Sequence, residues 1–118
     1  MGLSNQHTVV VTIGRNIGGK PMPAPRWHLF KRRTLAALRQ AEATIIQHPV
    51  THHDEGQVGV WGMEIEWCAA YVAVLPSGQS LDTLRVYLLR DAREFRQESI
   101  GLIAQQGTDT LLMVDDHE

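Results

Sequence analysis

Two segments with helical periodicity, set among segments of β-strand character, constrain the fold more than any other feature. In the second, about residues 81–96, apolar side chains recur at the spacing of a helix face. They are Leu81, Leu84, Leu88, Ala92 and Phe95. The first, about residues 25–40, has an equivalent stripe of Trp27, Phe30, Thr34, Ala37 and Leu38. Each stripe must be buried against another element, and one face of a sheet provides that surface for both helices.

Segments rich in β-branched, aromatic or alternating apolar residues are predicted strands. They lie at about residues 8–13, 43–48, 57–75, 99–104 and 110–114. The order strand, helix, strand, strand, helix, strand is typical of the ferredoxin-like fold. We therefore predict one α+β domain of residues 1–118, with a largely antiparallel sheet and an extra C-terminal strand. Ser80 is expected to cap the second helix, and the last two strands to form a hairpin around Gly107.

Several of these strands are apolar on both faces, although two helices can cover only one face. Val10, Val72, Val74 and Leu112 belong to the face that the helices leave open. Soluble monomers seldom keep such a patch exposed, and a second copy of the chain is its simplest cover. We therefore predict a homo-oligomer, namely a dimer formed through the sheet.

The glycine-rich segment GRNIGGK, residues 14–20, resembles the phosphate-binding loop of P-loop nucleotide triphosphatases. That resemblance implies that Lys20 contacts the outer phosphates and that Asp115 holds a magnesium-bound water. The family also needs Ser or Thr after the lysine and a helix that begins there, but this sequence continues with PMPAP. We therefore interpret the segment as a glycine-rich turn.

Charge is unevenly distributed along the chain. Residues 1–41 contain seven Lys or Arg and no acid, whereas residues 42–118 contain four Arg and thirteen Asp or Glu. Either these charges pair within the fold, or the basic first third forms a site for an anion. In the second case the candidate ligand-binding groups lie in and after the glycine-rich turn. They are Arg15, Asn16, Gly18, Gly19, Lys20, Arg26 and His28.

The histidine-rich segment is the candidate metal site. His48, His52 and His53 lie close together in the sequence, and Asp54 and Glu55 follow them. Pro49 argues against a helix that would align two imidazoles, and the spacing supplies no fourth ligand. We interpret the segment as a solvated loop and predict neither a metal nor a cofactor.

Cys68 and the carboxylates Glu64 and Glu66 are the remaining chemical groups of interest. Cys68 lies within a predicted strand, so a buried, unreactive thiol is expected, and a single cysteine excludes an internal disulfide. The two glutamates share one face of the same strand. They suit acid–base chemistry, contact with the basic first helix, or a solvated strand end.

Generic nucleic-acid and membrane binding are not favoured by the sequence. RWHLFKRR, residues 26–33, mixes bases with aromatic residues, but Trp27 and Phe30 belong to the core face and the bases are spread around the helix. The isoelectric point is about 6.3. No run of apolar residues is long enough to span a bilayer, and the N-terminus lacks the pattern of a secretory signal, so we expect a cytoplasmic protein.

The stretches TVVVTIGRN, residues 8–16, and FRQESIGLIAQQG, residues 95–107, resemble small uncharacterised α+β proteins of bacteriophages and their actinobacterial hosts. Phage accessory proteins of this size often bind a host protein or sequester a nucleotide signal, so the resemblance implies a binding protein more than an enzyme. We predict a non-enzymatic, homo-oligomeric binder of a small anionic, nucleotide-like ligand, of the phage accessory or anti-defence kind. The alternatives are a protein–protein inhibitor or adaptor that binds a host protein, and a small metal-assisted hydrolase that uses the histidine cluster.

Overall fold

The computed structural model describes residues 6–49, 57–61, 64–97, 99–106 and 110–115, with side chains at 6–49, 67–97 and 99–105. It contains two long helices and strands of very different lengths. In chain order these are β1 His7–Gly14, β2 Asn16–Ile17, β3 Lys20–Pro21, α1 Ala24–Gln40, β4 Thr44–Gln47, β5 Gln57–Trp61, β6 Glu64–Leu75, α2 Gly78–Glu94, β7 Gly101–Gln106 and β8 Thr110–Asp115. Within the described residues, no helix is long and apolar enough to cross a membrane.

The main sheet has the strand order β4-β6-β1-β7-β8, and β5 also pairs with β6. Every neighbouring pair in this sheet is antiparallel. The predicted ferredoxin-like class, with an extra C-terminal strand, is confirmed. The last two strands pair as predicted, with Gln106 opposite Thr110.

Two predicted boundaries were wrong. The single strand expected at residues 57–75 is a hairpin of β5 and β6, in which Trp61 lies opposite Glu64. Val58 and Val60 lie at even positions, whereas their partners Trp67 and Ile65 lie at odd positions, so the alternation changes phase between the strands and the prediction missed that change. Helix α2 begins three residues earlier than expected, because Ser77 is its N-cap and accepts a hydrogen bond from the Ser80 amide at 3.2 Å.

The core lies between one face of the sheet and the two helices. The sheet contributes Val9, Val11, Ile13, Ala69, Tyr71, Ala73, Leu75, Leu102 and Ala104. Both predicted helix stripes are buried against this face, and Phe30 stacks on Phe95 with 4.7 Å between ring centroids. The Tyr71 hydroxyl donates to the Lys31 carbonyl at 3.0 Å, which satisfies a polar group inside the layer.

The opposite face of the sheet carries the apolar residues that suggested a dimer. Val10, Val72, Val74 and Ile103 are each half-buried there, and Val10 lies between Val72 and Ile103 on the neighbouring strands. Leu112 was predicted on this face, but it lies in β8 opposite Ala104, a residue of the helix-covered face, so the register contradicts that prediction. The dimer through this face stays a prediction.

Candidate functional site

The glycine-rich turn folds as a small hairpin, not as a phosphate loop. Gly18 and Gly19 have φ angles of +58° and +83°, the conformation that a two-residue turn between antiparallel strands requires. The turn joins β2 to β3, with Ile17 opposite Lys20. Helix α1 begins only at Ala24, so its first amides are separated from Lys20.

Four hydrogen bonds fix this hairpin at the end of the sheet. Arg15 and Met22 are linked twice, from the Met22 amide to the Arg15 carbonyl at 2.9 Å and from Arg15 Nε to the Met22 carbonyl at 2.8 Å. The Arg15 amide donates to the Trp67 carbonyl at 3.0 Å, and the Gln97 side chain donates to the Asn16 carbonyl at 3.2 Å. The hairpin is therefore held by its own ends, by β6 and by the segment after α2.

The structure brings five of the seven predicted ligand-binding residues together in and beside this hairpin. Arg15 and Asn16 are half-buried, whereas the exposed members are Gly18, Gly19 and Lys20. The exposed ammonium of Lys20 and the turn backbone are accessible to a ligand. A Cβ on Gly18 would contact nothing within 4 Å, which leaves space above the turn.

The other two predicted residues lie on α1. Arg26 donates from Nη2 to the Glu94 carbonyl at 2.7 Å, and its guanidinium lies 4.7 Å from the centre of the Phe95 ring. Arg26 thus neutralises the C-terminal end of α2 and holds the two helices together. His28 is half-buried on α1.

Trp67 is a candidate that the sequence analysis did not single out. Its side chain is 40% exposed, and it lies opposite Arg15 because the Arg15 amide extends the β1–β6 ladder by one bond. An exposed aromatic ring together with cationic side chains is the usual surface for a nucleobase and its anionic group. We call Arg15, Asn16, Gly18, Gly19, Lys20 and Trp67 the hairpin surface.

The paired glutamates belong to the same end of the sheet. Glu64 is the first residue of β6, and Glu66 immediately precedes Trp67 and pairs with Gly59 of β5. The backbone therefore places two carboxylate-bearing positions within three residues of the hairpin surface. Because side chains alternate along a strand, both positions belong to the sheet face opposite that of Trp67.

Electrostatics in the helix layer centres on Glu94 and Asp91. Arg33 donates to the Glu94 carboxylate at 2.7 Å, and this hydrogen bond raises the pKa of Arg33. Asp91 is completely buried and its carboxylate accepts no hydrogen bond within the described residues. Burial raises the pKa of Asp91, although Arg90, 3.8 Å away, and Arg33 partly oppose this rise.

The predicted histidine loop is only partly described. His48 Nδ1 lies 2.7 Å from the Pro49 carbonyl, while His52 and His53 are outside the described residues. Among the residues that are described, no group of three or more His, Cys, Asp or Glu could hold a metal ion. Cys68 is buried, as the sequence predicted.

No family model and no curated protein matches this chain. Its fold is similar to that of a phage SAM lyase solved in complex with S-methyl-5'-thioadenosine, with a TM-score of 0.55. The similarity covers 95% of this chain and 91% of that one, at 12% sequence identity. A phage SAM lyase in its apo state gives a TM-score of 0.55 at 13% identity, over 95% of this chain and 90% of that one. At this identity the likeness establishes a shared α+β fold.

Proposed function

We propose that this protein binds a small nucleotide-like ligand with an anionic group at the hairpin surface. The observation that carries the proposal is the exposed indole of Trp67 opposite Arg15, with Lys20 exposed on the adjoining turn. The indole offers a stacking surface for a base, and the cations and turn amides attract a carboxylate or phosphate.

The likeness to a phage SAM lyase narrows the first ligands to test. That enzyme was solved with S-methyl-5'-thioadenosine, which is an adenosine derivative. S-adenosylmethionine (SAM) combines the same adenosine group with a carboxylate, so it presents both features that the hairpin surface would recognise. A binder of this class fits the phage accessory role that the sequence resemblance implies.

Calorimetric titration with SAM, S-methyl-5'-thioadenosine and AMP tests the proposal. Trp67→Ala should weaken binding about tenfold or more, since stacking of a base on an aromatic ring contributes roughly 1–3 kcal/mol. Lys20→Glu should weaken AMP more than the uncharged thioadenosine, and should affect SAM less than AMP because the sulfonium and ammonium of SAM outweigh its carboxylate. Arg39→Glu reverses an exposed charge near the C-terminal end of α1 and serves as the control. If a ligand binds the Trp67→Ala and Lys20→Glu proteins as tightly as it binds the unmodified protein, the site lies elsewhere.

A second candidate function is SAM cleavage, with Glu64 or Glu66 as the acid or base. Both lie at the start of β6, within three residues of Trp67 in the chain, and a carboxylate can serve in either role. If the protein cleaves SAM, the loss of SAM measured by chromatography should depend on Glu64 or on Glu66. Glu64→Gln and Glu66→Gln test each position, and neither should abolish binding. Binding without consumption in the unmodified protein supports the non-enzymatic binder and rejects the lyase.

The proposal includes self-association through the open face of the sheet. The half-buried row of Val10, Val72 and Ile103 supports it, because stacking two such faces removes apolar area from water. A protein–protein inhibitor would use the same face for a host protein. Light scattering distinguishes these alternatives, since only self-association raises the mass of the purified chain.

A further inference from the structure

His7, the first residue of β1, is a buried histidine that the proposed ligand site does not use. Its side chain is only 8% exposed, and within the described residues it makes no hydrogen bond. Its Nε2 lies 3.6 Å from the position that a Cβ on Gly78 would occupy. The imidazole is therefore directed at the first residue of α2.

The first turn of α2 contains backbone amides that have no hydrogen-bond acceptor within the described residues. Ser77 satisfies the Ser80 amide through its hydroxyl at 3.2 Å and the Leu81 amide through its carbonyl at 3.2 Å. The amides of Gly78 and Gln79 have no acceptor within the described part of the chain. No acidic side chain lies in this turn to offset the positive end of the helix dipole.

We propose that His7 and the first turn of α2 form a binding site for an oxyanion, either a phosphate or a carboxylate group. A helix N-terminus attracts negative charge through its free amides and its dipole. The buried imidazole adds one ring N–H donor, which can reach the same oxygen atoms. Ser77 and Ser80 share a hydroxyl–hydroxyl hydrogen bond at 3.3 Å, which leaves one of their two O–H groups as a further donor.

This oxyanion site is distinct from the hairpin surface. His7 and Gly14 are the first and last of the eight residues of β1, and a rise of about 3.3 Å per residue separates them by roughly 23 Å. The site is thus too distant for one oxyanion to contact both places. The oxyanion site would bind either a second anionic ligand or a second anionic group of one long ligand.

Titration of the protein with inorganic phosphate, at ionic strength held constant with chloride, tests the oxyanion site. Nitrogen-detected NMR of the imidazoles should show the His7 resonances shifting in a saturable way. Gly78→Pro removes one of the two free amides, and proline is well tolerated at the first position of a helix. That change and His7→Gln should each weaken phosphate binding about fivefold, as expected for loss of one charge-assisted contact.

His48→Gln and Arg39→Glu are the controls for this experiment. Neither should change phosphate affinity, because one alters a histidine outside the site and the other reverses an exposed charge near the end of α1. Unperturbed His7 resonances up to saturating phosphate would overturn the inference, even if the His7→Gln protein fails to fold. Equal affinity in the Gly78→Pro protein would also overturn it. Loss of binding in Lys20→Glu alone would assign the phosphate to the hairpin surface instead.

Discussion

The two faces of the main sheet have similar apolar residues but very different surroundings. On the helix-covered face, Val9, Val11 and Ala73 are completely inaccessible to solvent. On the opposite face, Val10 and Val72 come from the same strands and remain half-buried. Alternation along a strand therefore distributes apolar residues to both faces, and only the helices decide which face becomes a core. The open face is available for an interaction, whereas the covered face supplies stability.

Phe30→Ala should have the largest effect on the free energy of unfolding. Phe30 is completely buried, stacks on Phe95 and contacts the Trp27 ring edge at 6.2 Å between centroids. Loss of such a ring costs about 3–5 kcal/mol. Val10→Ala on the open face is the comparison, with a cost of about 1 kcal/mol in the monomer. Urea unfolding measures both, and equal losses would show that the two faces are equally packed.

Val74→Asp should have the next largest effect, and it should act on assembly. Val74 lies on the open face, opposite Thr8 of β1 and Thr44 of β4. A carboxylate buried between two stacked sheets would forgo about 1.5–3 kcal/mol of apolar burial and add an uncompensated charge. Light scattering should show dissociation, with circular dichroism unchanged.

The control for that experiment is Val86→Asp, at an apolar residue that is 64% exposed on α2. It should leave the oligomer intact if the sheet is the interface. An oligomer that dissociates in Val86→Asp and persists in Val74→Asp would move the interface to the helices. A monomeric unmodified protein at micromolar concentration would remove the dimer from the proposal.

Asp91→Asn tests how much the buried carboxylate of Asp91 destabilises the helix-covered side of the sheet. The pKa of buried Asp91 is raised above its usual 3.8, mainly by desolvation, so the unfolded chain ionises at lower pH than the folded one. The stability that the protonated carboxyl contributes is present below the unfolded pKa and is lost as pH rises through the folded pKa. Asn cannot ionise, so the variant should gain on the order of 1 kcal/mol relative to the parent at pH 7, and less at pH 3. If the variant and the parent differ in unfolding free energy by the same amount at pH 3 and pH 7, ionisation of Asp91 does not destabilise the folded protein.

Much of this fold follows from local pattern, and the exceptions have local causes. The stripes of α1 and α2 were visible because burial on one side of a helix leaves a period that sequence preserves. The hairpin of β5 and β6 was missed because its sequence signal, a single change of phase in the alternation, is short. Element order alone was enough to indicate the ferredoxin-like topology.

The candidate site was only partly predictable. Basic residues and glycines pointed to the hairpin, but the exposure of Trp67 depends on where the helix layer ends, which no local pattern encodes. His7 and Gly78 are far apart in the sequence and meet only because β1 and β6 pair. The sequence signal for that second site was a serine-rich turn before a helix, PSGQS at residues 76–80, which was interpreted as a cap alone.

The smallest predicted effect concerns the serine that begins α2, and it links the covered face to the oxyanion site. Ser77→Ala removes the acceptor of the Ser80 amide and should cost about 1 kcal/mol, whereas Ser80→Ala leaves that bond intact and should cost less. Ser77→Asp keeps the cap and places a negative charge at the positive end of the helix, so its thermal stability should match or exceed that of the parent. The same carboxylate would repel an incoming anion, and phosphate binding should therefore fall although the helix is better capped. A Ser77→Asp protein that is stable and still binds phosphate as the parent does would separate helix capping from anion binding and move the oxyanion away from the first turn of α2.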